Sequence, residues 1–261
     1  MNPSNSPSPT PDQSAIARGL DVTLNHPGEV VRLMRVLHDL ARRSIDEKSI
    51  APLMDFTYAN MNLALKRVAH IQIACRAGCA HCCHGFVAAS APEVLHVAKG
   101  FAPEQLPQVR AAVAAIHAVT GGKTTAERER MVTPCALLKD NLCSVYESRP
   151  ISCRTGVSIR ADICERAHIQ ISGEAIPKPV AYVTMRRAYY IAFAGALKRA
   201  GLNYRAYEYN AGLNHALTEP GAEADWLAGR DIFKGLPEDL GGDVFAEANI
   251  RNVYDAAFEK G

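Results

Sequence analysis

All eight cysteines of this 261-residue chain lie between Cys75 and Cys164, and this clustering restricts the possible folds more than any other feature. Seven of them form two tight groups in segments whose composition is typical of loops. Free cysteines bury readily, but as ordinary core residues they would be expected throughout the chain. The clustering therefore predicts that the thiols act together, as metal ligands or as redox groups.

The first group has the spacing C-x3-C-x2-C-C over Cys75, Cys79, Cys82 and Cys83. Tetrahedral zinc needs four ligands, often from two separated pairs, whereas an iron–sulfur cluster is wider and accepts three or four thiolates from a compact loop. Adjacent side chains of an extended chain point in opposite directions. We therefore expect Cys82 to bind the main centre, and Cys83 to bind a second metal or to act as a free thiol.

The second group carries Cys135, Cys143 and Cys153 on a segment rich in Pro, Cys and Asn. Its Lys139-Asp140-Asn141 sequence predicts a tight turn between two arms. Cys164 lies beyond this group, and the sequence leaves open whether it is a ligand or a core residue on a helix face. The predicted metal ligands are Cys75, Cys79, Cys82, Cys83, Cys135, Cys143 and Cys153.

His81 and His84 are alternative ligands, since imidazole suits both zinc and iron. A histidine beside a ligand more often lies outside the coordination sphere, so the cysteines remain the first choice. No Ser/His/Asp set or pair of carboxylates stands out beside the cysteines. The sequence therefore indicates no catalytic residue.

Composition and charge argue against several classes of protein. Lys and Arg number 29 against 27 Asp and Glu, a formal charge of +2, which argues against a dedicated nucleic-acid-binding protein. The N-terminal sequence lacks a basic region leading into an apolar stretch, as a secretory signal would have. The most apolar window, residues 181–197, contains Arg186 and Arg187 and predicts a buried helix rather than a membrane span. We expect a cytoplasmic protein whose reduced thiols bind metal rather than form disulfides.

Helical periodicity predicts a mainly α fold, in which helical flanks surround an irregular, cysteine-rich, metal-binding middle segment over residues 75–164. Residues 1–14 are rich in Pro, Ser and Asn and predict a disordered tail, followed by a single domain over residues 15–261. Ser90 and Glu93 predict a capping box that begins a helix ending at Lys99. Weak strand candidates lie at residues 85–89 and 156–160. Further helices are predicted at residues 30–41, 51–70, 103–119, 180–199, 204–217, 223–229 and 245–258.

Taken in order, the two groups resemble the YkgJ-like cysteine-cluster family of zinc- or iron-chelating proteins. The family pattern joins the C-x3-C-x2-C-C block to a Pro-Cys pair, a Cys followed by a Tyr, an Arg-Pro pair and a Cys-Arg pair. The matching residues are Cys75, Cys79, Cys82, Cys83, Pro134, Cys135, Cys143, Tyr146, Arg149, Pro150, Cys153 and Arg154. The resemblance covers residues 75–155 and implies metal binding, without implying a particular reaction.

A related cysteine pattern occurs in flagellin lysine methylases, for which an iron–sulfur cluster is implied, and this resemblance favours a cluster over zinc. Several thiolates on one ion or cluster leave net negative charge, which Arg149 and Arg154 could offset while donating hydrogen bonds to sulfur. Tyr146 could shield the site from water. An ordinary ion pair of Arg149 with Glu147 or Asp140 is the alternative.

Two other motifs in the sequence lack the elements or residues that their usual function requires. Cys75, Cys79 and Cys82 alone match the C-x3-C-x2-C signature of radical SAM enzymes, but the sequence does not show the alternating strands and helices of such a barrel. The Gly121-Gly122-Lys123-Thr124 sequence lacks the earlier glycine of a phosphate-binding loop, since His117 stands in its place.

The sequence thus predicts a metal-binding protein that holds iron as an iron–sulfur cluster and acts as a redox protein or metal-dependent enzyme. The alternative is a zinc-stapled binding module or a metal-handling protein without catalysis. An enzyme should have a pocket at the metal, with an open coordination position or an uncommitted thiol. We expect an unidentified protein or small molecule as the partner, and neither nucleic acid nor a membrane.

Overall fold

The computed structural model describes residues 27–238 and 243–258 of the chain. The predicted disordered tail, residues 1–14, lies outside the described residues. Over the residues it describes, the structure is mainly α-helical with a few short strands, which confirms the predicted fold class. None of the helices within these ranges combines the length and the apolar character that crossing a bilayer requires.

The described residues form eleven α-helices, three 3-10 helices and four strands. The α-helices are α1 Pro27–Asp46, α2 Ala51–Arg67, α3 Ala91–Lys99, α4 Leu106–Thr120, α5 Thr125–Glu129, α6 Ile151–Thr155, α7 Ala161–His168, α8 Val180–Arg199, α9 Tyr209–Thr218, α10 Ala222–Leu227 and α11 Ala248–Phe258. The 3-10 helices cover His81–His84, Tyr146–Ser148 and Val244–Ala246. The strands form two antiparallel pairs, β1 Ala88–Ser90 with β4 Ala206–Glu208, and β2 Leu138–Lys139 with β3 Leu142–Cys143.

The centre of the fold is the packing of α1 against α8. The apolar residues of α1 recur at helical spacing, and its Leu33, Met34 and Leu37 are fully buried. Gly195 of α8 permits this close approach, because a Cβ at that position would lie 2.5 Å from Met34 Sδ. Helices α2 and α11 pack on other parts of α1. The N-terminal and C-terminal flanks therefore share one hydrophobic core.

A second set of helices, α3, α4 and α9, connects this core to the middle segment, with α9 packing on both α3 and α4. The predicted capping box is present, since the backbone N–H and the hydroxyl of Ser90 donate to Glu93 Oε2 at 2.8 and 2.6 Å. Ser90 also ends β1 and pairs with Ala206 of β4. The start of α3 is thus attached to the last third of the chain.

Several local predictions need correction. The predicted helix over residues 204–217 begins only at Tyr209, because residues 206–208 pair with β1 as strand β4. The strand candidate at residues 156–160 is wrong, since this segment is irregular and Ser158 bonds instead to Cys75, Arg160 and Pro177. The region expected to be irregular contains the β2–β3 hairpin and α6.

Candidate metal centre

The first cysteine group folds into a turn followed by a 3-10 helix. Gly78 adopts φ 82°, a left-handed conformation that favours glycine, and lets the chain reverse between Cys75 and Cys79. Cys82 and Cys83 then lie within the 3-10 helix His81–His84. The extended conformation assumed for this pair is wrong: three residues per turn place adjacent side chains about 120° apart. Their thiols are hydrogen-bonded to each other.

Backbone hydrogen bonds place the second group directly beside the first. The N–H of Cys135 donates to the carbonyl of Cys83 at 2.7 Å, and the N–H of Thr133 donates to the carbonyl of His84 at 3.0 Å. These bonds join segments that are far apart in the sequence. The two cysteine groups are therefore parts of one site.

A hairpin then returns Cys143 toward Cys135. Asp140 and Asn141 both have positive φ, 51° and 58°, as in the type I′ turn that suits a two-residue hairpin loop. The predicted tight turn is confirmed, and Cys143 pairs with Leu138 across the hairpin. The turn residues thus set the position of the Cys143 thiol.

Helix α6 carries Cys153, and two side chains hold this short helix in place. Glu93 Oε1 accepts a hydrogen bond from the N–H of Ile151 at 2.8 Å, while the Ser152 hydroxyl donates to the carbonyl of Ala88 at 2.9 Å. Glu93 is the residue that also caps α3. Cys153 is therefore positioned by the same elements, β1 and α3, that connect the middle segment to the core.

Cys164, whose role the sequence left open, lies beside the first group. It is buried on α7, where burial raises the pKa of its thiol and the nearby Ser158 opposes that rise. Ser158 also donates its N–H to Cys75 Sγ at 3.5 Å, so the two cysteines share one neighbour. Packing of α7 against the His81–His84 helix brings them together. The signal available in the sequence was only that Cys164 falls within the same cysteine-rich segment.

Cys82 has an exposed side chain and interacts electrostatically with thiols of both groups. A thiolate at Cys82 would raise the pKa of thiols in both groups and of Cys164, so Cys82 lies in electrostatic range of each. The affected residues are Cys75, Cys135, Cys143, Cys153 and Cys164. Cys79 acts in the same way on Cys75 and Cys164. The first group with Cys164, and the second group, therefore form two sets of thiols that meet at Cys82.

Several thiols of the metal-free chain have a raised pKa and hold their protons. Burial raises the pKa of Cys135 to about 11, and burial is also the main cause of the raised pKa of Cys153. For Cys82 the hydrogen bond with Cys83 is the largest cause of a pKa far above the ordinary value, followed by burial. A metal ion must displace these protons, because the thiolate is the ligand.

Arg149 supplies positive charge to the second set of thiols. Its guanidinium lies 3.5 Å from the centre of the Tyr146 ring, and its Nε and Nη1 atoms are buried without a hydrogen-bond partner in the described residues. Burial raises the pKa of Cys143 and Cys153, and the Arg149 charge opposes that rise. The alternative ion pair with Glu147 or Asp140 does not form within the described ranges.

Arg154 has a different role from the one predicted beside the sulfurs. Its guanidinium donates to the carbonyl of Arg149 at 2.8 Å, to Asn62 Oδ1 at 2.7 Å and to the carbonyl of Glu147. It also lies 4.2 Å from the centre of the Tyr58 ring. With these partners Arg154 holds the chain around Arg149 and donates no hydrogen bond to a thiol.

The histidines form a separate cluster next to the cysteines. His84 Nδ1 lies 3.0 Å from the carbonyl of Ala80 and is taken as the donor, which leaves Nε2 free. Burial lowers the pKa of His168, and the nearby His81 and His84 add to this effect. Among the residues described, no three His, Cys, Asp or Glu side chains already stand at coordination spacing. The thiols lie in one region, but among the described residues they do not surround a single point at coordination distance.

The donor set nevertheless fits a metal–thiolate centre. Eight thiols lie in one region, and Arg149 presents two buried N–H groups that lack an acceptor. A buried cation without a counter-charge is costly, whereas a centre of four thiolates carries net negative charge. Binding of such a centre would satisfy both Arg149 and the thiolates.

Comparison with known proteins agrees with this composition of the site. Residues 74–170 match the model of a protein family described as CxxCxxCC, "Putative zinc- or iron-chelating domain". The match confirms the resemblance found in the sequence and supports metal binding by this segment. It extends past Cys153 to include Cys164. Neither the comparison with curated proteins nor that with solved structures gave a match.

Proposed function

We propose that residues 74–170 hold iron, as an iron–sulfur cluster, through Cys75, Cys79, Cys82, Cys83, Cys135, Cys143 and Cys153. The observation that carries the proposal is the hydrogen bond from the N–H of Cys135 to the carbonyl of Cys83, which joins the two cysteine groups in one site. Cys164 joins the proposed ligands because it shares Ser158 with Cys75. Eight thiols are more than one tetrahedral zinc uses, and they suit a cluster or two metal centres.

The neighbouring residues would stabilise such a centre. Arg149 would donate its free N–H groups to cysteine sulfur and offset the charge of the thiolates. Tyr146, 58% exposed, covers Arg149 on the solvent side. A cluster bound here would supply one-electron chemistry. We infer a cytoplasmic location, where thiols remain reduced, and an unidentified protein or small molecule as the partner.

The test is anaerobic purification followed by analysis of iron, zinc and acid-labile sulfide, with a visible absorption spectrum. We expect brown protein with iron and sulfide in similar amounts. Cys153→Ser should lose most of the metal. The matched control is Thr218→Ala, which removes a hydroxyl hydrogen bond to the carbonyl of Asn214, outside the cysteine-rich segment, and should retain the metal. Stoichiometric zinc without sulfide would contradict the cluster.

A zinc-stapled binding module is the second candidate, and one observation favours it. Two surface cavities in the described part of the chain have volumes of about 410 and 290 Å³ and are lined by no cysteine. An enzyme acting at the metal would be expected to have a pocket there. The module would be supported by a zinc ion that has four thiolate ligands and no open coordination position. It would also be supported if small molecules left the reactivity of the thiols unchanged.

A further inference from the structure

Two tyrosine hydroxyl groups lie buried behind the second cysteine group without a hydrogen-bond partner. Tyr58 is 6% exposed and Tyr209 is 5% exposed. Neither hydroxyl finds a donor or an acceptor among the described residues. Native proteins pair nearly all of their buried polar groups, so each orphan hydroxyl calls for a physical reason.

Hydrogen bonds attach Tyr209 and the residue before Cys153 to neighbouring residues at the start of β1. Tyr209 begins α9, and its N–H donates to the carbonyl of Val87 at 2.9 Å, just before β1. The Ser152 hydroxyl donates to the carbonyl of Ala88, the next residue along. Tyr209 and Ser152, the residue before Cys153, are thus bonded to the consecutive residues Val87 and Ala88. The charges of Cys135, Cys153 and Cys143 add to burial in raising the pKa of Tyr209.

Tyr58 approaches the same thiols from helix α2. Its ring lies between the guanidinium of Arg154, 4.2 Å from the ring centre, and the ring of His96, 5.0 Å from it. Arg154 directly follows Cys153 in the chain. The Cys153 thiol is within electrostatic range of Tyr58, and Tyr58 of Tyr209. The two hydroxyls therefore belong to one buried polar region beside Cys153.

We propose that Tyr58 and Tyr209 donate hydrogen bonds to cysteine sulfurs of the second group when the centre holds metal. A neutral thiol is a weak acceptor, whereas a metal-bound thiolate carries charge and accepts strongly. Both hydroxyls lack a partner among the described residues, and each would become paired when a metal-bound thiolate moves within hydrogen-bond distance. They are positioning residues, which set the metal affinity and, for a cluster, its reduction potential. This inference rests on the metal binding proposed above.

The test compares Tyr209→Phe and Tyr58→Phe with a matched control, Tyr189→Phe. Tyr189 is also fully buried, but its hydroxyl donates to Asn60 Oδ1, away from the cysteines. Binding of Co²⁺ and Zn²⁺ is measured by anaerobic competition titration, and the unfolding midpoint is measured without metal. If an iron–sulfur cluster is present, its reduction potential is measured as well.

We expect Tyr209→Phe and Tyr58→Phe each to weaken metal binding about tenfold, with the metal-free unfolding midpoint unchanged or raised. A cluster in these variants should be harder to reduce, since a donor to sulfur stabilises the reduced, more negative form. Tyr189→Phe should lower the unfolding midpoint and leave the metal affinity unchanged.

The outcomes separate this inference from the function on which it rests. Wild-type affinity and potential in both phenylalanine variants would overturn the role of the hydroxyls and leave metal binding intact. A wild-type protein that takes up neither Co²⁺, Zn²⁺ nor a cluster would overturn both. Should Tyr209→Phe fail to fold, Tyr58→Phe still decides, because its ring keeps its contacts with Arg154 and His96.

Discussion

At the scale of single residues, Cys82 and Cys83 differ in their surroundings although they are adjacent in the chain. Cys82 lies within electrostatic range of thiols from both groups, whereas Cys83 contributes its carbonyl to the N–H of Cys135. The different environments support the expected inequivalence of the pair. We base this expectation on the different contacts of the two residues, since they lie in a 3-10 helix and not in the extended backbone assumed from the sequence.

We predict that Cys82→Ser lowers the bound metal per chain more than Cys83→Ser. Removal of Cys82 deprives both sets of thiols of their common neighbour, while removal of Cys83 leaves six of the other seven thiols around Cys82. Metal analysis of anaerobically purified variants measures the difference, with alkylation of the metal-loaded protein as a second readout. Equal loss from both variants would mean that both thiols bind one cluster.

His96 gives the protein a pH dependence of its own. Burial lowers the pKa of His96 to about 4 from an ordinary 6.5, and the charges of Arg154 and Lys99 contribute. The unfolded chain therefore binds more protons than the folded one between these values. The free energy of unfolding should fall as the pH drops through this range, by up to roughly 3 kcal/mol.

The measurement is urea unfolding of the metal-free protein at about pH 7.5 and about pH 5. Using the metal-free protein separates this effect from acid release of metal. His96→Gln, which stays neutral, should lose less stability on acidification than the wild type. His70→Gln, at an exposed position, is the matched control and should behave as the wild type. The prediction would be contradicted if acidification lowered the free energy of unfolding of His96→Gln and of the wild type by the same amount.

At the scale of elements, the sequence predicted best where a local rule decides the structure. The Ser90–Glu93 capping box, the turn at residues 139–141 and helix α8 all formed as expected, because side-chain hydrogen bonds, turn conformation and a long apolar run are local signals. Helices α5 and α6 have five residues each, too few for periodicity to show. Their positions depend on distant partners such as Glu93, which no local pattern contains.

The sequence predicted most residues of the candidate site, but it did not predict how these residues are arranged. Spacing and family resemblance singled out seven cysteines, but the role of Cys164 depends on Ser158, a residue with no motif of its own. The roles of Tyr58 and Tyr209 were equally hidden, since each belongs to a flanking helix. Sequence reasoning misses such residues because only tertiary packing brings them to the thiols.

The β2–β3 hairpin should depend on metal for its protection. Its attachment to the first group is two backbone hydrogen bonds, so metal binding by both groups would close a long loop and stabilise it. We predict that trypsin cleaves after the exposed Lys139 faster in chelator-treated than in metal-loaded protein, by about tenfold or more. Cleavage after Lys123, exposed in the loop following α4, is the internal reference and should change little. Equal rates after Lys139 in both states would show that no metal joins the groups.

At the scale of the whole molecule, the helical core and the cysteine-rich segment are stabilised by different forces. The contact between α1 and α8 is apolar and contains no cysteine, while the middle segment has a half-exposed surface and many thiols. Burial of apolar surface does not require metal. The flanking helices should therefore remain folded when metal is removed, although the middle segment loosens.

Gly195→Ala tests this division, because it alters the core and leaves the cysteines untouched. The added Cβ would lie 2.5 Å from Met34 Sδ, so Met34 must move or the helices must separate. Overpacking of this kind costs about 1–3 kcal/mol, of which a better helix propensity returns up to about 1 kcal/mol. Gly28→Ala, in the first turn of α1 with no atom within 4 Å of its Cβ, is the matched control and should leave the unfolding midpoint unchanged or raise it. We expect Gly195→Ala to lower the thermal unfolding midpoint, measured by circular dichroism, by the same amount with and without metal. The bound metal per chain should be unchanged. A loss of metal in Gly195→Ala would show instead that the core and the cysteine site fold as one unit.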